Sequence, residues 1–280
     1  MSGLRLAEQL IMKSLPELEF GCLESTLVSN ANLLSIKSLS VSFGGLKALS
    51  NVNLDLNENE VVGLIGPNGA GKTTFFNALS GLTQVESGNL SINGKSHKWP
   101  KPHQLIDLGI SRTLQGVGLF PELTVLENVM IGDNKSSKSG LISGALGLSL
   151  KDEKKLRQRA LTALERVYAS GIADQRADSL PYPVTKRVAI ARALVSEPKI
   201  LLLDEPAGGL GAQDIDWMNS LIHNLATQCS VILVEHHMDV VMSVCDRLYV
   251  LNFGEVISSG DVEKVRRDPA VVEAYLGVNN

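Results

Sequence analysis

One octapeptide restricts what this chain can fold into more than any other feature. Gly66-Pro67-Asn68-Gly69-Ala70-Gly71-Lys72-Thr73 fits the pattern G-x-x-x-x-G-K-[ST] without mismatch. It follows the apolar run Val61-Val62-Gly63-Leu64-Ile65 and opens a segment that reads as a helix from Lys72-Thr73 onward. Strand, glycine turn and helix together make a βα unit of an α/β sheet. The glycines let the backbone wrap close to phosphate oxygens with its N–H groups inward, and the helix behind them offers its positive end. Lys72 brings a point charge for the β- and γ-phosphates, Thr73 brings a hydroxyl of the kind Mg²⁺ takes as a ligand, and Thr74 stands directly behind. Residues 66–74 are the candidate binding residues for a nucleoside triphosphate.

A phosphate loop alone does not name a reaction. The second half of the site comes from Ile200-Leu201-Leu202-Leu203-Asp204-Glu205, an apolar strand closed by two carboxylates. In open α/β sheets, nucleotides bind at the carboxyl edge of the strands. Asp204 is therefore the candidate metal-holding carboxylate, and Glu205 is placed to polarise a water beside the γ-phosphate. Strand-ending carboxylates also serve as helix caps, but a phosphate loop upstream favours the metal role.

The remaining chain divides by texture. Residues 1–32 carry Leu4, Ala7, Ile11 and Leu15 on one helical face before Pro16, and read as a short helix and linker. Segments 34–40, 41–43 and 48–56 alternate apolar and polar residues and look like antiparallel strands. Residues 120–195 are mostly helical in pattern, broken by a Ser/Gly/Lys loop over 133–147, and the charged run 151–159 reads as a solvated helix face. Buried-type strands follow at 200–203 and 231–234, then a last strand near 247–251 and a C-terminal helix over 269–275.

Charge and composition remove several classes. Lys plus Arg number 26 against 30 Asp plus Glu, a formal net charge of −4, which argues against a nucleic-acid surface. No apolar run reaches the ~18–20 residues that cross a bilayer. Cys22, Cys229 and Cys245 are too few and too scattered for a disulfide framework or a zinc site.

With these residues in place, the chain from 33 to 280 resembles the ATP-binding subunits of ABC transporters. The resemblance implies a RecA-like core sheet with an antiparallel β subdomain and a helical subdomain at about 116–195. It implies ATP and Mg²⁺ as cofactors and an ATPase activity coupled to transport. It also assigns further residues. Gln115, in Arg112-Thr113-Leu114-Gln115, matches the family's glutamine that contacts Mg²⁺ and water and senses the membrane subunit. His236, after Glu235, matches the histidine that hydrogen-bonds the γ-phosphate, and Phe43 stands where the family stacks an aromatic ring on adenine. Glu205, His236 and Gln115 thus form the expected catalytic set, and Thr73, Gln115 and Asp204 the expected metal set. His237 occupies a place where relatives usually carry Asp, and no role attaches to it.

Two departures stand out. Relatives carry L-S-G-G-Q, or L-S-Y-G in the most similar importers, before the helix that appears here as Arg187-Val188-Ala189-Ile190-Ala191-Arg192-Ala193-Leu194. This chain has Leu180-Pro181-Tyr182-Pro183-Val184-Thr185, so a hydroxyl and a glycine N–H that would grip a nucleotide on the opposite subunit are missing. Gly211 likewise stands where the family usually has Asp or Asn. The implied partners are a second ABC ATPase, with a heterodimer favoured over a homodimer, two polytopic membrane permease subunits that hold this chain at the cytoplasmic face of the membrane, and an extracytoplasmic binding protein. Residues 119–129 and 268–277 resemble importers of branched-chain amino acids and related polar amides. The competing class is an ATP-binding regulatory or structural subunit with little hydrolysis of its own.

Overall fold

A computed structural model of the chain describes residues 32–113, 116–133 and 150–276. The expected helix near the N-terminus, Gln115 and most of the 133–147 loop lie outside these residues.

Elements are numbered in chain order. β1 (Asn32–Phe43) and β2 (Leu46–Asn57) pair antiparallel, with Leu34 opposite Leu56 and Ile36 opposite Leu54 on the buried face. The sequence segments 34–40 and 41–43 are one strand, not two. Ser38 takes φ 56° and the register shifts on either side of Leu39, which bends β1 without ending it. β3 (Val61–Ile65), buried at every position, runs into the glycine turn and α1 (Lys72–Leu79). β4 (Ser87–Ile92) and β5 (Lys95–His97) complete a four-stranded antiparallel sheet of order β2-β1-β4-β5.

β6 (Ile110–Arg112) is followed by α2 (Val125–Met130), α3 (Leu150–Arg166) and α4 (Tyr182–Leu194). A capping box starts α2: the Thr124 hydroxyl accepts the Glu127 N–H at 3.2 Å, and the Glu127 carboxylate accepts the Thr124 N–H at 2.8 Å. α3 carries the charged run on its outer face and buries Ala160, Ala163 and Leu164. β7 (Ile200–Asp204), α5 (Ala212–Ala226), β8 (Ser230–Val234), α6 (Met238–Val244) and β9 (Arg247–Asn252) return the chain to the core. β9 is not the last strand, as the sequence pattern suggested. β10 (Glu255–Asp261) follows and pairs antiparallel at the sheet edge, before α7 (Val262–Arg266) and α8 (Pro269–Leu276). Its sequence is polar and half-exposed, so no apolar alternation announces it.

The six-stranded sheet has the order β10-β9-β3-β8-β7-β6, and every pair except β10 with β9 is parallel. Successive side chains of a strand point to opposite faces. Ile200 and Leu202 therefore pack with Leu34, Leu54, Phe75 and Phe76 between the two sheets. Leu201 and Leu203 pack on the other side, with Met218, Leu221 and Val188 of the helices. Burial pushes the thiol of buried Cys229 up to about 11 and that of half-buried Cys245 up to about 12, so neither is a thiolate at neutral pH.

One charged tie joins the sheets. Arg247, at the start of β9, pairs with the buried carboxylate of Glu60, donates to the Asp55 carbonyl at 2.8 Å, and lies over the Tyr249 ring. Replacing Arg247 with Leu would strand Glu60 in the interior without a counter-charge. The expected cost is about 3 kcal/mol, read as a lower midpoint in urea denaturation.

Candidate functional site

The parallel register brings three strand ends to one edge. Leu64 of β3 and Asp204 of β7 both lie beside Val234 of β8, so the residues that follow each strand emerge together. Gly66 leaves β3 with φ 147°, and a side chain there would strike the Leu251 carbonyl of β9. Gly71, at φ 109°, caps α1, and a Cβ on it would lie 2.9 Å from the Ala48 carbonyl of β2. These two positions require glycine. The turn is also anchored from behind, because the Gly254 N–H donates to the Ala70 carbonyl at 2.9 Å and the Ser50 N–H donates to the Gly254 carbonyl at 2.8 Å.

Within the turn, Pro67 is half-buried, Asn68 and Gly69 are exposed, and Ala70 is buried. Lys72, the first residue of α1, is buried and donates to the carbonyls of Gly66 at 2.7 Å and Pro67 at 2.9 Å. Burial pulls its ammonium below the ordinary lysine value, and the charges of Glu205 and Asp204 offset part of that. Thr73 is exposed on the first turn of α1 and Thr74 half-buried beside it. Phe43, at the end of β1, is 52% exposed at the hairpin whose root packs on the phosphate loop.

Asp204 is only 5% exposed. Its Oδ2 accepts from Arg112 Nη2 at 2.7 Å, and its backbone N–H donates to the Thr113 hydroxyl at 3.2 Å. Arg112 also donates to Asn77 Oδ1 at 2.8 Å and Ser80 Oγ at 3.2 Å, and its guanidinium lies over the Phe76 ring. It therefore clamps the acidic strand to α1. Nothing in the local sequence singles out this arginine, because its partners lie 32, 35 and 92 residues away.

Glu205 and His236 sit together, with His236 Nδ1 3.9 Å from Glu205 Oε1. Asp204, Glu205, His236 and His237 line one cavity of about 370 Å³ with Gly116, Tyr182 and Lys186. Gln115 lies outside the described residues, one position before Gly116. The sequence reading also overlooked Glu235, the hub of this corner. Its Oε1 accepts the Ala207 N–H at 2.8 Å, while its Oε2 accepts the N–H groups of His236 at 2.7 Å and His237 at 3.1 Å and meets His237 Nδ1 at 3.0 Å. Glu235, His236 and His237 are close enough to hold a metal ion, but the Glu235 carboxylate already takes three backbone N–H groups and His237 Nδ1, so Glu235 serves as a structural anchor. His237, to which the sequence attached no role, is part of that anchor.

The two departures are visible at helix starts. α4 begins on Pro181 as its N-cap, with Tyr182 first and Pro183 second in the helix. Proline is tolerated in that first turn because helix-start N–H groups lack intrahelical partners. Gly211 is the N-cap of α5, where it supplies no side-chain cap.

Burial works against the Glu235 carboxylate, but hydrogen bonds from His237, Ala207 and His236 outweigh it and hold the carboxyl below the usual range. A depressed carboxyl contributes stability above the unfolded value, near pH 4.3, and loses it as pH falls through the folded value. Glu235→Gln is expected to cost about 2 kcal/mol at neutral pH. Thermal melting should show that difference shrink below about pH 4.

The comparisons with known proteins agree with this geometry. The ABC transporter family model matches residues 49–208, and the model described as branched-chain amino acid ATP-binding cassette transporter matches residues 255–279. The high-affinity branched-chain amino acid transport ATP-binding protein LivG of Salmonella typhimurium is 40% identical over 249 residues, 88% of this chain and 98% of that protein. BraF of Pseudomonas aeruginosa, of the same description, is 36% identical over the same shares. Among solved structures, the ADP conformation of an ATP-binding cassette of an ABC transporter superposes with a TM-score of 0.77 at 32% identity, covering 88% of this chain and 99% of that one. A nucleotide-free cassette gives 0.75 at 30% identity, over 87% and 98%. Motif order, strand topology and these likenesses agree: the chain belongs to the ATP-binding cassette family of ABC transporters, in its branched-chain amino acid type.

Proposed function

We propose that this chain is the ATP-hydrolysing motor of an importer of branched-chain amino acids or related polar amides, held at the cytoplasmic face of the membrane by two permease subunits and served by an extracytoplasmic binding protein. The observation that carries the reading is the meeting of Lys72, Asp204, Glu205 and His236 at one edge of a parallel sheet. Among the described residues no helix is long and apolar enough to cross a membrane. An apolar cavity of about 410 Å³, lined by Leu82, Phe120, Ile131 and Arg192, opens beside Arg112 and Gly118. It is the natural seat for a cytoplasmic segment of a permease.

Each residue has a task in the proposed cycle. Phe43 stacks on the adenine, the glycine turn from Gly66 to Gly71 wraps the phosphates, and Lys72 brings a charge against the β- and γ-phosphates. Thr73, Gln115 and Asp204 would hold Mg²⁺. The oxygen donors of Thr73 and Asp204 suit that ion, and Arg112 occupies only one oxygen of the Asp204 carboxylate. When bound, Mg²⁺ neutralises charge on the phosphates. Glu205 orients a water for in-line attack and accepts its proton, and His236 donates to the γ-phosphate. Glu205→Gln should leave nucleotide affinity intact while lowering kcat by about 100-fold or more, and trap a closed, ATP-bound pair. Hydrolysis at the parental rate would remove Glu205 from this role.

The signature region supports a heterodimer with unequal sites. This chain's own nucleotide rests on intact groups, whereas a partner's nucleotide would meet Pro181, which has no hydroxyl, and Pro183, which has no N–H. Replacing them together with Ser and Gly should raise turnover at the partner's site. Unchanged turnover there would remove the asymmetry. The same prolines favour the second reading, a subunit that binds ATP without turning it over, and single-turnover hydrolysis in the assembled pair separates the two.

A further inference from the structure

Glu205 holds an uncomfortable backbone. Its φ is 49°, in the left-handed region that non-glycine residues avoid, and it precedes Pro206, which biases a residue toward extended conformations instead. Such a conformation persists only where the surroundings hold it. Here three hydrogen bonds do so. The Glu205 N–H donates to the Val234 carbonyl at 2.8 Å, and the Glu205 carbonyl accepts from the Gly208 N–H at 3.2 Å and from Lys186 Nζ at 2.8 Å.

The lysine differs from the other two partners. The backbone bonds come from β8, which pairs with β7 anyway, and from the turn that Glu205 itself begins. Lys186 reaches across from α4, and its bond is the charge-assisted one. Its side chain is in turn guided by Tyr182, one helical turn earlier, whose ring lies 5.6 Å from Nζ. The Tyr182 hydroxyl donates to the Gly208 carbonyl at 3.4 Å, and its ring leaves no room for a side chain on Gly209. Helix α4 is thus fastened to the peptide group on which the Glu205 carboxylate depends.

We propose that Lys186 is a positioning residue for hydrolysis, fixing the Glu205 carbonyl so that the Glu205 carboxylate stays aimed at the attacking water. The proposal rests on the reading of Glu205 as the water-orienting group. Lys186 donates its hydrogen bond to the Glu205 backbone carbonyl and not to its carboxylate. It acts through the peptide that joins Glu205 to Pro206. Without it, that peptide is released toward the extended conformations that both Glu and a residue before proline prefer, and the carboxylate swings with it.

The test uses the assembled ATPase pair with Lys186→Met, which keeps the aliphatic stem, and Lys186→Arg, which keeps a charged donor. Lys186→Met should lower kcat about tenfold, equivalent to 1.4 kcal/mol, while the Kd of a fluorescent ATP analogue stays within about twofold. Lys186→Arg should restore most of the rate. In the double variant with Glu205→Gln, removing the lysine should bring no further loss, because both changes act through one group. An unchanged kcat in Lys186→Met, a loss that Lys186→Arg does not recover, or losses that multiply in the double variant would each overturn the proposal. Equal loss of affinity and rate, with a lowered melting temperature, would show a merely structural contact and overturn it as well. Full activity in Glu205→Gln alone would instead strike at the reading of Glu205, and so is told apart from failure of the lysine.

Discussion

The site depends on the parallel hydrogen-bond ladder among β3, β8 and β7. Parallel pairing forces all three strands to end on the same side, and their register brings Leu64, Val234 and Asp204 level with one another. The glycine turn, the acidic pair and the Glu235-His236 corner each follow one of these ends directly. All three strands are buried at every position, so the ladder is covered on both faces and cannot slip without exposing apolar side chains. A ligand at this edge meets a preformed rim.

Side-chain charges then tie that rim to the helices. Arg112 links Asp204 to the far end of α1, Lys186 links the Glu205 carbonyl to α4, and Glu235 gathers the backbone N–H groups of Ala207, His236 and His237. Further along α4, Arg192 donates to the carbonyls of Val117 and Gly118, the loop that follows Gln115. One helix therefore touches both the Glu205 peptide and the segment beside the apolar groove. A hydrogen bond in which one group is charged is worth about 1.5–3 kcal/mol, and removing one partner costs more when the other stays buried. These ties are consequently few, specific and difficult to replace one at a time.

The departures from the family pattern fall at the starts of α4 and α5. Pro181 and Pro183 satisfy the needs of a helix start, and Gly211 opens α5 without a side-chain cap, so the fold absorbs all three residues. What changes is the set of groups presented outward. Helix-start geometry and the chemistry of the groups presented outward are thereby separable at these positions.

From the sequence alone came the local and periodic features: the glycine turn with Lys72 and Thr73, the buried strands at 61–65, 200–203 and 231–234, and the carboxylates after one of them. These are legible because backbone conformation and burial at each position are set by neighbours a few residues away. Only the tertiary structure decided that β10 pairs at the edge, that 34–43 is one bent strand, that Arg112 holds Asp204, that Glu235 anchors two histidines, and that Lys186 grips the Glu205 carbonyl. A polar edge strand such as β10 shows no alternation to read, and a long cationic side chain selects its acceptor among groups that come near only after the sheet has closed. The partners of Arg112 and Lys186 lie 19 to 92 residues away, beyond the reach of any local pattern.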